Sequence, residues 1–275
     1  MAQDEHRMLF DLQRGRRKTA VKVVYAVLAV LMGASLFLVV GPVNLGEIFN
    51  SNSSSGGNVA QPYEEQAERL EMKLKKDPEN PQLLQALARA QVTAGNSLLS
   101  LEPDEEDLNN ALQQYRLASS SWAEYVDLTD EPSAGTAQLI APALLSLAER
   151  SRTYGEAQRN IEAATDAQQV VAKQRPTLNS FSTLALYTYF TGDYKAAEAA
   201  QAQAAKLTRA KYEREQLDKQ MEEVKKNAEK FQTERKKVEA AEKAAAKGNK
   251  GNPEALQSPT NPLGGSFGAG STLGE

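Results

Sequence analysis

Apolar positions along this chain follow three patterns. From Val23 to Val40 they are continuous, VVYAVLAVLMGASLFLVV, and no charged residue falls between Val23 and Gly46. From Tyr63 to Lys247 apolar and alanine residues recur at intervals of three and four, with no sustained alternation, which predicts amphipathic helices and no sheet. Residues 50–60, NSNSSSGGNVA, and residues 248–275 are rich in Gly, Ser, Asn and Pro and lack apolar periodicity. They read as a flexible linker and a disordered tail.

Helix breaks inside the periodic region are placed by their chemistry. Asp77-Pro78-Glu79-Asn80-Pro81 separates two helices, and Gly95-Asn96 ends a run containing Leu83, Leu84, Leu87 and Ala88. Pro103-Asp104 opens the next, with carboxylates in its first turn, where the helix dipole favours them. Asp130-Glu131-Pro132, Tyr154-Gly155, Arg175-Pro176 and Gly192-Asp193 mark further turns. About seven helices follow from these stops.

The continuous apolar run has a different meaning. Eighteen residues of helix extend roughly 27 Å at 1.5 Å per residue, close to the hydrocarbon thickness of a bilayer. A buried helix of a globular domain would show a polar face, and this one shows none. Pro42 gives it a stop. Arg14, Arg16, Arg17, Lys18 and Lys22 precede the run, and the next basic residue after it is Arg69. The positive-inside rule therefore predicts a cytoplasmic N-terminus and an exported C-terminal part. The apolar run exceeds the core of a cleaved signal peptide, so a retained signal-anchor is expected. Residues 1–22 become a basic cytoplasmic tail, 23–43 a transmembrane helix in contact with lipid through Val23–Val40, and 44–62 a linker. Self-association through Ala29-x-x-x-Gly33 is allowed but not favoured.

Composition narrows the chemistry. The chain of 275 residues has no Cys and a single His, His6. Disulfides, thiol nucleophiles, zinc-cysteine sites and a Ser-His-Asp triad in the exported part are excluded. It has 41 alanines and only 6% aromatics, a mixture suited to closely packed helices. The net charge of −4 is uneven: residues 23–205 are strongly acidic, and 1–22 and 206–247 are basic. An acidic body lacks the face that neutralises phosphates, so nucleic acid is not expected as a partner. No phosphate loop, nucleophile elbow or metal-ligand spacing occurs, and the carboxylates from Glu102 to Asp107 read as helix capping. No enzyme activity and no cofactor are expected.

Residues 178–209, LNSFSTLALYTYFTGDYKAAEAAQAQAAKLTR, resemble a tetratricopeptide repeat. Phe181, Leu184 and Ala185 match the first helix of that unit, Gly192-Asp193-Tyr194 its turn, and Ala197 and Ala204 its second helix. Thr188, Gln201 and Arg209 depart from the pattern. Leu84, Leu87, Ala88 and Gly95, then Ala111, Tyr115 and Ala118, form a second match split by an insertion. Leu144, Leu147 and Ala148, then Ala164, Val171 and Pro176, form a third. Together they cover about residues 79–209 as three degenerate repeats. The resemblance implies an all-α fold over 63–209, a solenoid of antiparallel helix pairs, with the first helix of each pair on a concave face. It places Gln82, Gln85, Arg89, Glu149, Arg152, Asn179, Ser182 and Tyr189 along a partner-binding groove, with Tyr189 as an aromatic anchor.

A long helix over 210–247 follows. Its heptad has a good d set (Ala210, Leu217, Val224, Phe231, Val238, Ala245) and a poor, charged a set (Leu207, Arg214, Met221, Ala228, Arg235, Glu242). Covering the open end of the repeats is preferred to an intermolecular coiled coil. The expected protein is a single-pass anchored scaffold of the bacterial inner membrane whose exported domain binds an unidentified protein or peptide. An assembly or chaperone-like factor at the secretion or cell-division machinery is the alternative.

Overall fold

The structure, a computed structural model, describes residues 59–99, 103–246 and 263. All of them belong to the unit Gly56–Glu275. The expected basic tail 1–22, transmembrane helix 23–43, most of the linker 44–62 and all of the tail 248–275 except Leu263 lie outside the described residues.

Among the described residues the chain forms eight α-helices and no strand: α1 Gln61–Leu74, α2 Pro81–Leu98, α3 Glu105–Asp127, α4 Ala134–Glu149, α5 Tyr154–Gln174, α6 Leu178–Thr191, α7 Tyr194–Leu207 and α8 Lys211–Ala246. No helix among them is long and apolar enough to cross a membrane.

Local chemistry sets most boundaries. The Asn80 side chain accepts a 3.1 Å hydrogen bond from the Leu83 amide, and Pro81 occupies the first turn of α2, where its missing N–H costs nothing. Asp104 and Asp107 form a reciprocal capping box at the start of α3, with Glu105 and Glu106 beside them. Thr177 with Ser180 does the same for α6, and Asp193 caps α7 through the Ala196 amide at 3.0 Å. Gly192, at φ 90°, closes α6 in the left-handed conformation that glycine adopts without a Cβ penalty.

Three boundaries differ from the sequence expectation. The first helix begins at Gln61, inside the predicted linker. Gly95-Asn96 does not end α2, which continues to Leu98. Gly95 is there because the Tyr115 ring of α3 lies on it: a Cβ at this position would sit 2.5 Å from Tyr115 Cε1. Tyr154-Gly155 is the first turn of α5 and not the preceding loop.

Each helix from α1 to α7 packs on the next, most extensively within α2–α3, α4–α5 and α6–α7, and α2 also touches α4. Ala88, Ala118, Ala148, Ala164, Ala185, Ala197 and Ala204 are fully buried, so the axes approach closely where the side chains are smallest. Ile140, Leu144, Ile161 and Phe190 fill the larger spaces. The last helix, α8, lies mainly on α6, with lesser contact to α7 and α5. Leu217 and Phe231 from its d positions, and Met221 and Ala228 from its a positions, are buried against the body, with Val224 and Val238 partly so. Its apolar stripe is therefore covered within the chain. In the tail expected to be disordered, Leu263 is 2% exposed and joins the main core cluster. A compositional reading of that tail has no means of singling out one leucine that gains by burial.

Candidate functional site

Much of helix α6 is buried, polar residues included, and it packs against α5, α7 and α8. On one side, Phe181, Leu184, Thr188 and Thr191 floor an open groove of about 700 Å³ between α5 and α7. Glu162, Thr165, Asp166 and Gln169 of α5 form one wall, and Ala196, Ala199, Ala200 and Gln203 of α7 the other, with Asp193 at one end. Phe181 and Leu184 make part of the floor apolar beside Thr188 and Thr191, Glu162, Asp166 and Asp193 are acidic, and none of the lining residues is basic. Burial, reinforced by the Glu162 charge, raises the Asp166 carboxyl above its ordinary value.

On the second side, Tyr189 points towards α7 and α8. Its hydroxyl donates to Gln201 Oε1 at 2.8 Å, and Gln201 Nε2 donates to Asp218 Oδ1 at 3.0 Å. Lys225 and Glu198 pair at 2.8 Å across the same cleft, whose volume is about 410 Å³. Both charges are well exposed, so this ion pair adds little stability.

On the third side, Phe190 meets Phe231 of α8 at 6.1 Å between ring centroids. Tyr187 is buried within reach of the Glu149 charge at the end of α4. A glutamine network fixes α8 here. Gln232 Nε2 donates to Gln158 Oε1 at 2.9 Å and to the Phe190 carbonyl at 2.6 Å. Gln158 Nε2 in turn donates to the Thr191 carbonyl at 3.0 Å and to Glu162 Oε1 at 2.7 Å. Among the described residues no buried side-chain nitrogen or oxygen lacks a hydrogen-bond partner.

The predicted groove residues are distributed over α2, the end of α4 with the following turn, and α6. Gln82 and Arg89 are exposed on α2, Arg152 in the α4–α5 turn, and Asn179 in the first turn of α6. Gln85 is half-buried and donates to Thr136 Oγ1 of α4 at 2.9 Å, a structural tie between these two helices. Glu149 is half-buried, and desolvation raises its pKa against the opposing effect of Arg150. Two assignments are corrected. Ser182 is 1% exposed and donates to the Leu178 carbonyl at 2.8 Å. Tyr189 is 2% exposed with its hydroxyl engaged by Gln201. Both side chains are buried, Ser182 bonded within α6 and Tyr189 bonded to α7, which leaves neither as an exposed groove residue. Phe181 and Leu184, matched above to the first helix of a repeat, floor the open groove and remain only partly covered. Gln158 and Gln232 went unmarked, since a glutamine that ties two helices looks in sequence like one in solvent.

The tyrosines give a pH signature. Burial, with the Glu149 charge, pushes the Tyr187 phenol well above its ordinary 10.0. The folded chain then holds this proton where the unfolded chain releases it. The contribution of the neutral phenol is fully present below pH 10.0 and is lost as pH rises above it. The melting temperature should fall as pH rises above about 10, and Tyr187→Phe should flatten that fall. An unchanged slope in the variant would remove Tyr187 as the source.

Comparison with protein-family models, curated proteins and solved structures finds no match for this chain.

Proposed function

We propose that this protein is a membrane-anchored interaction scaffold, and that its body, a solenoid of antiparallel helix pairs similar to tetratricopeptide repeats, binds another protein. In this reading Val23–Val40 spans the inner membrane of a bacterium, the N-terminus is cytoplasmic, and α1 to α8 lie outside the cytoplasm. The scaffold is not an enzyme. Support for the repeat assignment comes from the serial pairing of α2 with α3, α4 with α5 and α6 with α7. The covering of α8 by the last pair fits the role of a terminal cap.

One observation carries the binding role: the groove over α6, with Phe181 and Leu184 as its floor and acidic side chains at its rim. An apolar floor bounded by charges of one sign suits a protein segment with apolar and basic side chains. No nucleic-acid binding is proposed. The alternative role, assembly or chaperone-like help at the secretion or cell-division machinery, differs in requiring the membrane span itself to contact the partner.

Two experiments test this. An alkaline phosphatase fused after residue 60 should be active, and an inactive fusion would reverse the proposed orientation. Leu184→Glu in the full chain should abolish co-purification of the partner while leaving helicity intact. Retention of the same partner by that variant would remove the groove from the proposal.

A further inference from the structure

The corner where α7 turns into α8 is exposed at every residue from 209 to 215, and burial on α8 begins only at Leu217. Tyr212 is 68% exposed, and Leu207, the last residue of α7, is 43% exposed. Lys206, Arg209, Lys211 and Arg214, all exposed, accompany these two apolar side chains. Arg214 Nη2 donates to the Ala205 carbonyl at 3.4 Å, which ties the first turn of α8 to the last turn of α7. The cluster is therefore one place in the fold as well as one stretch of sequence.

The two carboxylates of this corner are already engaged. Glu213 accepts from the Arg209 and Ala210 amides at 2.9 and 3.2 Å, and these bonds hold its carboxyl below the ordinary value. Lys211 and Glu215 lie 3.6 Å apart with both side chains exposed, a pair that leaves the ammonium in water and contributes little. Residues 206–215 carry four basic and two acidic groups, whereas the chain from 23 to 205 is strongly acidic. None of residues 206–215 lines the groove over α6 or the cleft between α7 and α8. An exposed cationic corner outside both grooves suits a flat anionic surface better than an extended peptide.

We infer that this corner rests on an anionic lipid bilayer, with Tyr212 and Leu207 at headgroup depth and Lys206, Arg209, Lys211 and Arg214 against the lipid phosphates. A tyrosine has an apolar ring and a polar hydroxyl, and the membrane interface satisfies both. The stems of lysine and arginine lie along apolar material while their charged ends stay hydrated beside phosphate. The acidic remainder of the body is repelled by the same surface, so the contact also sets which end of the body faces the membrane. The contact requires neither the binding role of the groove nor the span at Val23–Val40. With that span in place, the corner is tethered near lipid and its contact becomes intramolecular.

The chain contains no cysteine, so a fluorophore can be placed cleanly at Ala210→Cys, an exposed site in the corner. The full chain in nanodiscs of phosphatidylglycerol and phosphatidylcholine with a quencher-bearing lipid should show quenched, blue-shifted emission from this label. Nanodiscs without phosphatidylglycerol should show neither effect, and a label at Ser120→Cys, exposed on α3, should show neither in both lipids. Changing Lys206, Arg209 and Lys211 together to Gln should weaken the contact about 5-fold per charge removed, or roughly 100-fold. Tyr212→Ser should also weaken it, and Tyr212→Trp should preserve it. All four side chains are exposed, and an unchanged circular dichroism signal checks that the variants fold. Emission from position 210 that is the same in both lipids overturns the inference, as does a contact indifferent to these substitutions or shared by position 120. Retention of the chain by the nanodisc reports the span separately. A chain that is not retained is read with vesicles of the same two compositions, against the same outcomes.

Discussion

Phe231→Ala is expected to release α8 from the body and to cost about 3–5 kcal/mol. Phe231 is 5% exposed and sits between Tyr154 at 5.5 Å and Phe190 at 6.1 Å, measured between ring centroids. Its removal empties the place where α5, α6 and α8 meet. The buried Gln232, one residue further on, ties the same three helices through Gln158 and the Phe190 carbonyl. Loss of the ring also loosens that network, whose polar groups are expensive to leave unpaired. For a body of this size, a cost of 3–5 kcal/mol corresponds to a melting temperature lower by roughly 6–20 °C. Proteolytic cleavage within 211–246 should rise in parallel. Val238→Ala, on the same face but only partly buried, should cost less than about 1.5 kcal/mol. Equal effects from the two variants would mean that α8 is not held at Phe231.

Gly95→Ala is expected to destabilise, against the usual sign of a glycine-to-alanine change inside a helix. That change ordinarily gains about 1 kcal/mol from propensity alone. Here the added Cβ would stand 2.5 Å from Tyr115 Cε1 and 3.2 Å from the Ala111 carbonyl oxygen. The ring has little freedom to retreat. Tyr115 is 3% exposed, and its hydroxyl donates to Asn96 Oδ1 at 2.6 Å. The strain reaches the backbone of α3, and a net loss of about 1–3 kcal/mol is expected from overpacking. Gly155→Ala is the control: in the first turn of α5 a Cβ meets only Arg159 Nη1 at 3.7 Å. Urea denaturation of the two variants should give opposite signs. A stabilised Gly95→Ala would show that α2 and α3 do not approach this closely.

These two sites mark what the residue pattern could and could not convey. Helix identity was legible because alanines and leucines recur at three and four, and because Asn80, Asp104 and Asp193, which lie in the breaks, cap the helices that follow. The turn at Gly192-Asp193 was legible for the same reason. Gly95 misled, since a glycine that stops a helix and a glycine that admits a neighbouring ring are the same letter. Tyr189 misled for a tertiary reason: its ring is buried and its hydroxyl is held by Gln201 of α7, which is tied in turn to Asp218 of α8. The groove over α6 was half legible. Phe181 and Leu184 stood out as apolar, but their partial exposure depends on how far α7 stands from α5. Leu263 lay in a segment whose composition averages to disorder, and its burial is a property of one side chain.

In the proposed role the groove over α6 receives another protein. A photo-crosslinking residue at position 184, on the groove floor, and another at Glu71, exposed on α1, can be compared in living cells. A discrete protein adduct is expected from position 184 that is absent from position 71 and disappears when Asp166 and Asp193 are both changed to Lys. The absence of any protein adduct at 184, or the same adducts from both positions, would contradict it.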